Sequence, residues 1–273
     1  MKRRECLSAI GSAITVFALP AFAHRENNVF PASATLGSLV IGRIGIGCSA
    51  SYGGRGLRAT PYGGVVFGIG RNDTDFVSVE VTDASGRKQN VSITVTTRDF
   101  PTEYVSGVPP KTVNPPPEIA ARMAREQARV SAAREGDDNR ADFAEKFIWP
   151  VRGRISGRFG NQRVYNGKPG AGHSGMDIAA ATGTPVKAPA SGIISFADPD
   201  LYLTGGTVLL DHGHGVSSNF LHLSRIDAKV GDRIEQGDVF AAVGASGRVT
   251  GPHLHWGMSW FDVRIDPQLL VDA

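Results

Sequence analysis

Apolar and polar residues alternate most clearly over two segments in the front half of the chain. Val77, Val79 and Val81 alternate with Ser78, Glu80 and Thr82, and after Asp83-Ala84-Ser85-Gly86-Arg87-Lys88 the pattern resumes with Val91, Ile93 and Val95 against Ser92, Thr94 and Thr96. Successive strand residues point to opposite faces, so this period of two around a Gly-containing turn predicts a half-buried β-hairpin. Val65-Val66-Phe67, behind Gly63-Gly64, predicts another strand. Short strands between Gly and Asn/Asp turns make residues 24–104 a small N-terminal β-sandwich, and its scattered acids suggest no chemistry there.

The pattern changes at Ser106-Gly107-Val108-Pro109-Pro110 and Asn114-Pro115-Pro116-Pro117, an extended connector. Glu118 to Glu135 is rich in Ala, Arg, Glu and Gln, with Ile119, Met123 and Val130 on roughly one face. This predicts a helix that begins behind the prolines, stops at Gly136 and lays a narrow apolar stripe on a neighbouring domain, with its charged face solvated. Residues 105–147 are thus a Pro-rich connector and helical linker. From 148 to 273, runs such as Thr207-Val208-Leu209-Leu210 and Val239-Phe240-Ala241-Ala242-Val243 between Gly-rich turns predict a compact, mostly antiparallel sheet. The fold class is mainly β: two domains, an N-terminal β-sandwich and a C-terminal antiparallel β-domain, joined by the connector and helix.

Composition narrows the function. With 41% hydrophobic and 20% charged residues among 273, a disordered, collagen-like or coiled-coil chain is excluded. The net charge of +3 comes largely from Lys2, Arg3 and Arg4, which leaves no basic field for nucleic acid. Those residues, the short apolar stretch from Cys6 to Pro20 and Ala21-Phe22-Ala23 read as a secretory signal peptide over 1–23, which predicts export to the periplasm or cell envelope. After cleavage Cys48 is the sole cysteine, so no internal disulfide is expected. No later run of about twenty apolar residues predicts a transmembrane segment.

Six of the seven histidines lie beyond residue 148. His173-Ser174-Gly175-Met176-Asp177 reads as a loop running into a strand, which can bring His173 and Asp177 to one point. In His253-Leu254-His255 the two imidazoles share a strand face, suiting one metal ligand and one catalytic or supporting partner. His222, between Leu221 and Leu223, reads by itself as a core histidine, while His212 and His214 belong to a glycine turn that Asp211 braces. Combined, two imidazoles and one carboxylate leave Zn²⁺ one open tetrahedral position, the pattern of a catalytic site, with two further histidines for proton transfer and oxyanion stabilisation. Cys48 is far from every histidine in sequence and no G-x-S-x-G elbow is present, so no Ser or Cys nucleophile competes.

Residues 149–273 resemble the peptidase domain of the lysostaphin-type, LytM-like zinc endopeptidases, family M23. The likeness rests on Arg158-Phe159-Gly160, His173-Ser174-Gly175-Met176-Asp177, Gly183-Thr184-Pro185-Val186, Asp211-His212-Gly213, His222-Leu223 and Thr250-Gly251-Pro252-His253-Leu254-His255-Trp256, in that order. It implies that His173, Asp177 and His255 hold zinc, that His222 and His253 are catalytic, and that the substrates are peptidoglycan cross-bridge or stem peptides. Phe220 departs from the family pattern, where many members carry Tyr. Residues 27–135 resemble more loosely the β-domain and connector of exported members. Two other classes are a non-catalytic wall-binding activator of other hydrolases, which the full ligand set disfavours, and a lipoyl or biotinyl carrier, which lacks a lysine at the expected hairpin tip.

Overall fold

The structure, a computed structural model, describes residues 28–272; the proposed signal peptide lies outside the described residues. In the front half, strands β1 (Ser33–Thr35), β2 (Leu39–Arg43), β3 (Ser49–Tyr52), β4 (Arg55–Leu57), β5 (Gly64–Gly68), β6 (Phe76–Thr82) and β7 (Lys88–Thr96) form a five-stranded sheet in the order β1-β7-β6-β3-β4 and a β2-β5 ladder. The expected hairpin is β6-β7, paired from Phe76↔Thr94 to Thr82↔Lys88, so Lys88 is a strand residue rather than part of the turn. Val77, Val79, Val81, Ile93 and Val95 are buried, and their polar alternates face outward.

Strand β8 (Thr102–Val105) leads into the connector and helix α1 (Pro117–Ala132). The helix begins at Pro117, one residue ahead of the expected Glu118, where the missing N–H is harmless in a first turn, and it ends at Ala132, three residues short of the expected Glu135. Beyond it follow β9 (Arg154–Gly157), β10 (Gln162–Tyr165), β11 (Lys168–Gly172), β12 (Gly175–Ala179), β13 (Pro185–Lys187), β14 (Gly192–Leu201), β15 (Gly205–Asp211), β16 (Val216–Leu223), β17 (Arg225–Ile226), β18 (Arg233–Ile234), β19 (Val239–Ala242), β20 (His253–Trp260) and β21 (Val263–Ile265). The principal sheet runs β18-β14-β15-β16-β20-β12-β9 with β21 beside β20, and its pairings are antiparallel. A smaller sheet has the order β13-β19-β17, and β10 joins β11 to β8.

Two features tie the halves together. One hydrophobic core runs from Val40, Phe67 and Val79 through Met176, Leu254 and Trp256. Strand β8 pairs in parallel with β10, Glu103 opposite Arg163, so the end of the front half is woven into the back. On the other face of the principal sheet, Val130 of α1 packs on Phe196, Leu201 and Leu209, as the apolar stripe predicted. The opposite expectation, a solvated charged face, holds only in part, because Arg122 and Arg129 pair with Asp200 and Asp198 at 3.2 and 2.9 Å.

Candidate active site

Strands β12 and β20 position the histidines and the aspartate. Asp177 lies directly across from His255 in their antiparallel register, and His173 sits in the two-residue gap between β11 and β12. His173 Nε2, Asp177 Oδ1 and His255 Nδ1 form a triangle with edges of 3.1, 2.9 and 3.0 Å. All three residues are buried and form a group able to hold a metal ion. Ligand atoms about 2.0–2.1 Å from a tetrahedral zinc stand about 3.3 Å apart, so the triangle is close to the size that ion requires. The Nδ1–H of His173 donates to Arg158 O at 3.0 Å, leaving the Nε2 lone pair turned toward the triangle. His255 Nε2 is buried without a hydrogen-bond partner among the described residues.

The far oxygen of Asp177 is also held. Arg163 Nη2 donates to Asp177 Oδ2 at 2.6 Å, and Glu103 Oε2 accepts from Arg163 Nε at 3.3 Å, while Asn161 Nδ2 donates to Glu103 Oε1 at 2.6 Å. Burial alone would raise the Asp177 carboxyl, but the neighbouring His173 and His255 imidazoles hold it well below the usual carboxylate range. It is an anion at neutral pH. Gly157 lets the ion pair approach: a Cβ there would press on the Arg163 guanidinium and stand 2.5 Å from Asp177 Oδ2.

His253 shares the face of His255, as the strand periodicity predicts, while Leu254 is in the core. Its Nε2 lies 3.7 Å from Asp177 Oδ1, and its Nδ1–H donates to Gly251 O at 2.8 Å. His222 reaches the same place by a different route. Phe220 faces the core, and regular alternation would send His222 after it. Instead, Gly206↔Leu223 and Val208↔Phe220 bracket an extra residue on β16, a bulge, and His222 takes φ 65°. Its ring thereby stands 4.8 Å from that of His253 and 6.3 Å from that of His255, centroid to centroid. Its Nδ1–H donates to Ser246 O at 2.8 Å, and burial with the neighbouring His253 and His255 pushes its pKa down to about 3. Both Nδ1 atoms face carbonyl acceptors, which fixes the tautomer and leaves each Nε2 bare.

All five residues singled out in the sequence therefore come together. His212 and His214 do not join them: His212 bridges Ser191 O and Ser218 Oγ at 2.7 and 2.8 Å, and His214 binds Arg58 O at 3.0 Å. Asp211 accepts from Gly213 N at 2.9 Å, bracing that turn. Sequence reasoning missed Arg163 and Glu103. The expectation that the front half carries no chemistry is corrected by Glu103, whose strand pairing, invisible locally, brings it against Arg163. The connector is tied down beside them: Gly107 N donates to Asn166 Oδ1, Lys168 Nζ to Asn114 Oδ1, and Arg248 Nη1 to Thr112 O, at 3.0, 2.6 and 3.4 Å.

The description Peptidase family M23 matches residues 171–267, a span that contains the whole histidine and aspartate group. A crystal structure assigned to peptidase M23 from Pseudomonas aeruginosa superposes with a TM-score of 0.69 at 31% identity, over 87% of this chain and 94% of that one. This chain belongs to peptidase family M23. Among curated relatives, Cell division protein DipM of Caulobacter vibrioides is 32% identical over 165 residues, 59% of this chain and 25% of the relative. Peptidoglycan DD-endopeptidase ShyA of Vibrio cholerae is 34% identical over 124 residues, 45% of this chain and 28% of the relative. The M23 chain thus matches only about a quarter of the length of these two relatives. Among the described residues no helix is long and apolar enough to cross a membrane.

Proposed function

We propose that the chain is an exported zinc metalloendopeptidase that hydrolyses peptide bonds of bacterial peptidoglycan, in stem or cross-link peptides. The observation that carries this is the triangle of His173 Nε2, Asp177 Oδ1 and His255 Nδ1 with two further imidazoles beside it. A site built only to hold a structural ion has no use for two extra rings with bare nitrogens. Kinship with the peptidoglycan endopeptidase ShyA supports the substrate class. Under this reading 1–23 is the signal peptide, 24–104 the N-terminal β-domain, 105–147 the linker and 148–273 the peptidase domain.

When bound, zinc supplies Lewis-acid polarisation of the scissile carbonyl and brings the pKa of water toward about 7. His173, Asp177 and His255 would hold it. Arg163 keeps the Asp177 carboxylate oriented and ionised. His253, with Nε2 toward the ligand group, accepts a proton at that atom and returns it to the leaving amine. His222, held neutral before reaction with its Nε2 bare, takes up a proton at that atom as the reaction proceeds and then donates it toward charge developing on the carbonyl oxygen.

The test is digestion of purified muropeptides by the zinc-loaded chain, with the cleaved bond identified by mass spectrometry. Cleavage that stops on chelation and returns with zinc is the expected result. A zinc-loaded chain that binds muropeptides and cuts none is a wall-binding activator instead.

A further inference from the structure

A cavity of about 140 Å³ opens between α1 and the outer face of the principal sheet. Its lining includes Arg134, just beyond the helix, Arg264 of β21, Asn219 of β16 and Ser174, the residue after His173. Arg134 is 7% exposed, and among the described residues neither its guanidinium nor that of Arg264 has a hydrogen bond or a salt bridge. Arg134 Nε and Asn219 Oδ1 are buried polar atoms without partners. The lining carboxylate cannot neutralise them, because Glu126 is occupied by Arg122 Nε at 2.6 Å and Tyr202 N at 2.8 Å.

Two guanidiniums lining one cavity, with Glu126 engaged elsewhere and Asp262 acting on Arg264 by charge without a hydrogen bond, are an unfavourable arrangement unless an anion completes it. Burial and the proximity of Arg264 lower Arg134 to about 9, yet a guanidinium keeps its proton at neutral pH, so the repulsion persists. The fork of N–H donors on each suits a planar, bidentate oxyanion.

The cavity also adjoins the metal group. Asn219 pairs with Gly257, and the next same-face pair along the two strands is Leu221 with His255. Two residues along a strand span about 6.6 Å, the scale of one dipeptide step in an extended peptide. Gly257 and Gly175, also paired, leave this stretch of the sheet without side chains; a Cβ on Gly257 would stand 2.6 Å from Asn219 Oδ1, and one on Gly175 2.9 Å from His255 Nε2.

From this we infer that the cavity under α1 is a carboxylate subsite, in which Arg134 and Arg264 take an anionic group of a peptide held across the His173, Asp177 and His255 group. The inference rests on the peptidase reading for the identity of the ligand, but its test does not need hydrolysis. The chelator-stripped full chain is titrated calorimetrically with a muropeptide bearing free carboxylates and with the same muropeptide amidated. The free acid is expected to bind at least tenfold more tightly, and Arg134→Gln or Arg264→Gln to erase the difference. Arg134→Gln without ligand is expected to raise Tm, since it removes an uncompensated charge; a purely structural arginine would lower it. Equal binding of acid and amide overturns the inference, as does a preference that survives both substitutions. Inorganic phosphate bound tightly with no discrimination between acid and amide overturns it too. A chain that prefers the acid and, once reloaded with zinc, cuts nothing sinks the peptidase reading while the subsite stands.

Discussion

Arg163 holds one oxygen of Asp177 at 2.6 Å while the other oxygen faces His255 at 2.9 Å, so a single carboxylate joins the ion pair to the ligand triangle. A ligand fixed in this way loses less freedom on binding a metal. Arg163→Ala should weaken zinc binding by about 10- to 100-fold, with Arg163→Lys between the two, as read by competition with a chromophoric chelator. Gly157→Ala, which pushes on the same pair, should weaken binding without altering any polar group. Unchanged affinity in both would show that Arg163 has no such role.

His173→Ala, Asp177→Ala and His255→Ala should each lower zinc content on elemental analysis and abolish cleavage. The β core does not depend on them, so far-UV circular dichroism should be preserved. Asp177→Ala should cost the most stability of the three, because it strands the Arg163 guanidinium among buried groups with only the longer contact to Glu103.

The two non-ligand histidines separate the enzyme from a binder. His222→Ala and His253→Ala leave the triangle whole, so zinc should remain while muropeptide cleavage falls about a hundredfold or more. Full activity in the His222 variant would make that residue a packing histidine. Zinc lost from the His253 variant would mean that His253, not His255, is the ligand.

Acid should destabilise the metal-free protein in a defined window. Burial pushes His212 down to about 4, so between its ordinary value near 6.5 and about 4 the unfolded chain binds a proton that the folded chain refuses. Stability is therefore full above about 6.5 and falls as pH drops toward 4, by an order of a few kcal/mol for one fully buried imidazole. His255 and His222, lowered to about 4 and 3, add to the slope with the same sign. Urea midpoints measured across this range should fall steeply for the native chain and less steeply for His212→Gln. Parallel slopes would show that His212 is not the group being titrated.

Much of this was legible in the residues. Valine alternation gave the β6-β7 hairpin, and strand periodicity alone put His253 and His255 on one face. Distance along the chain hid the rest. Glu103 looks like an ordinary acid until β8 lies beside β10, and Arg134 looks like a solvated linker residue until α1 seats it under the sheet. His222 misled differently: its neighbours Leu221 and Leu223 describe a core position, and what removes it from the core is a register shift that no residue type announces.

That shift makes the site depend on counting as well as on chemistry. Deleting Leu221 would keep every one of the five histidine and aspartate side chains, yet it would restore the regular ladder and draw the imidazole of residue 222 back to the position opposite His255 that Leu221 holds, out of its place beside His253. A relative bearing all five residues but one residue fewer between the partners of Val208 and Gly206 would therefore look complete in an alignment and be catalytically silent. Spacing in that stretch of β16 is as much a part of the active-site signature as the histidine itself.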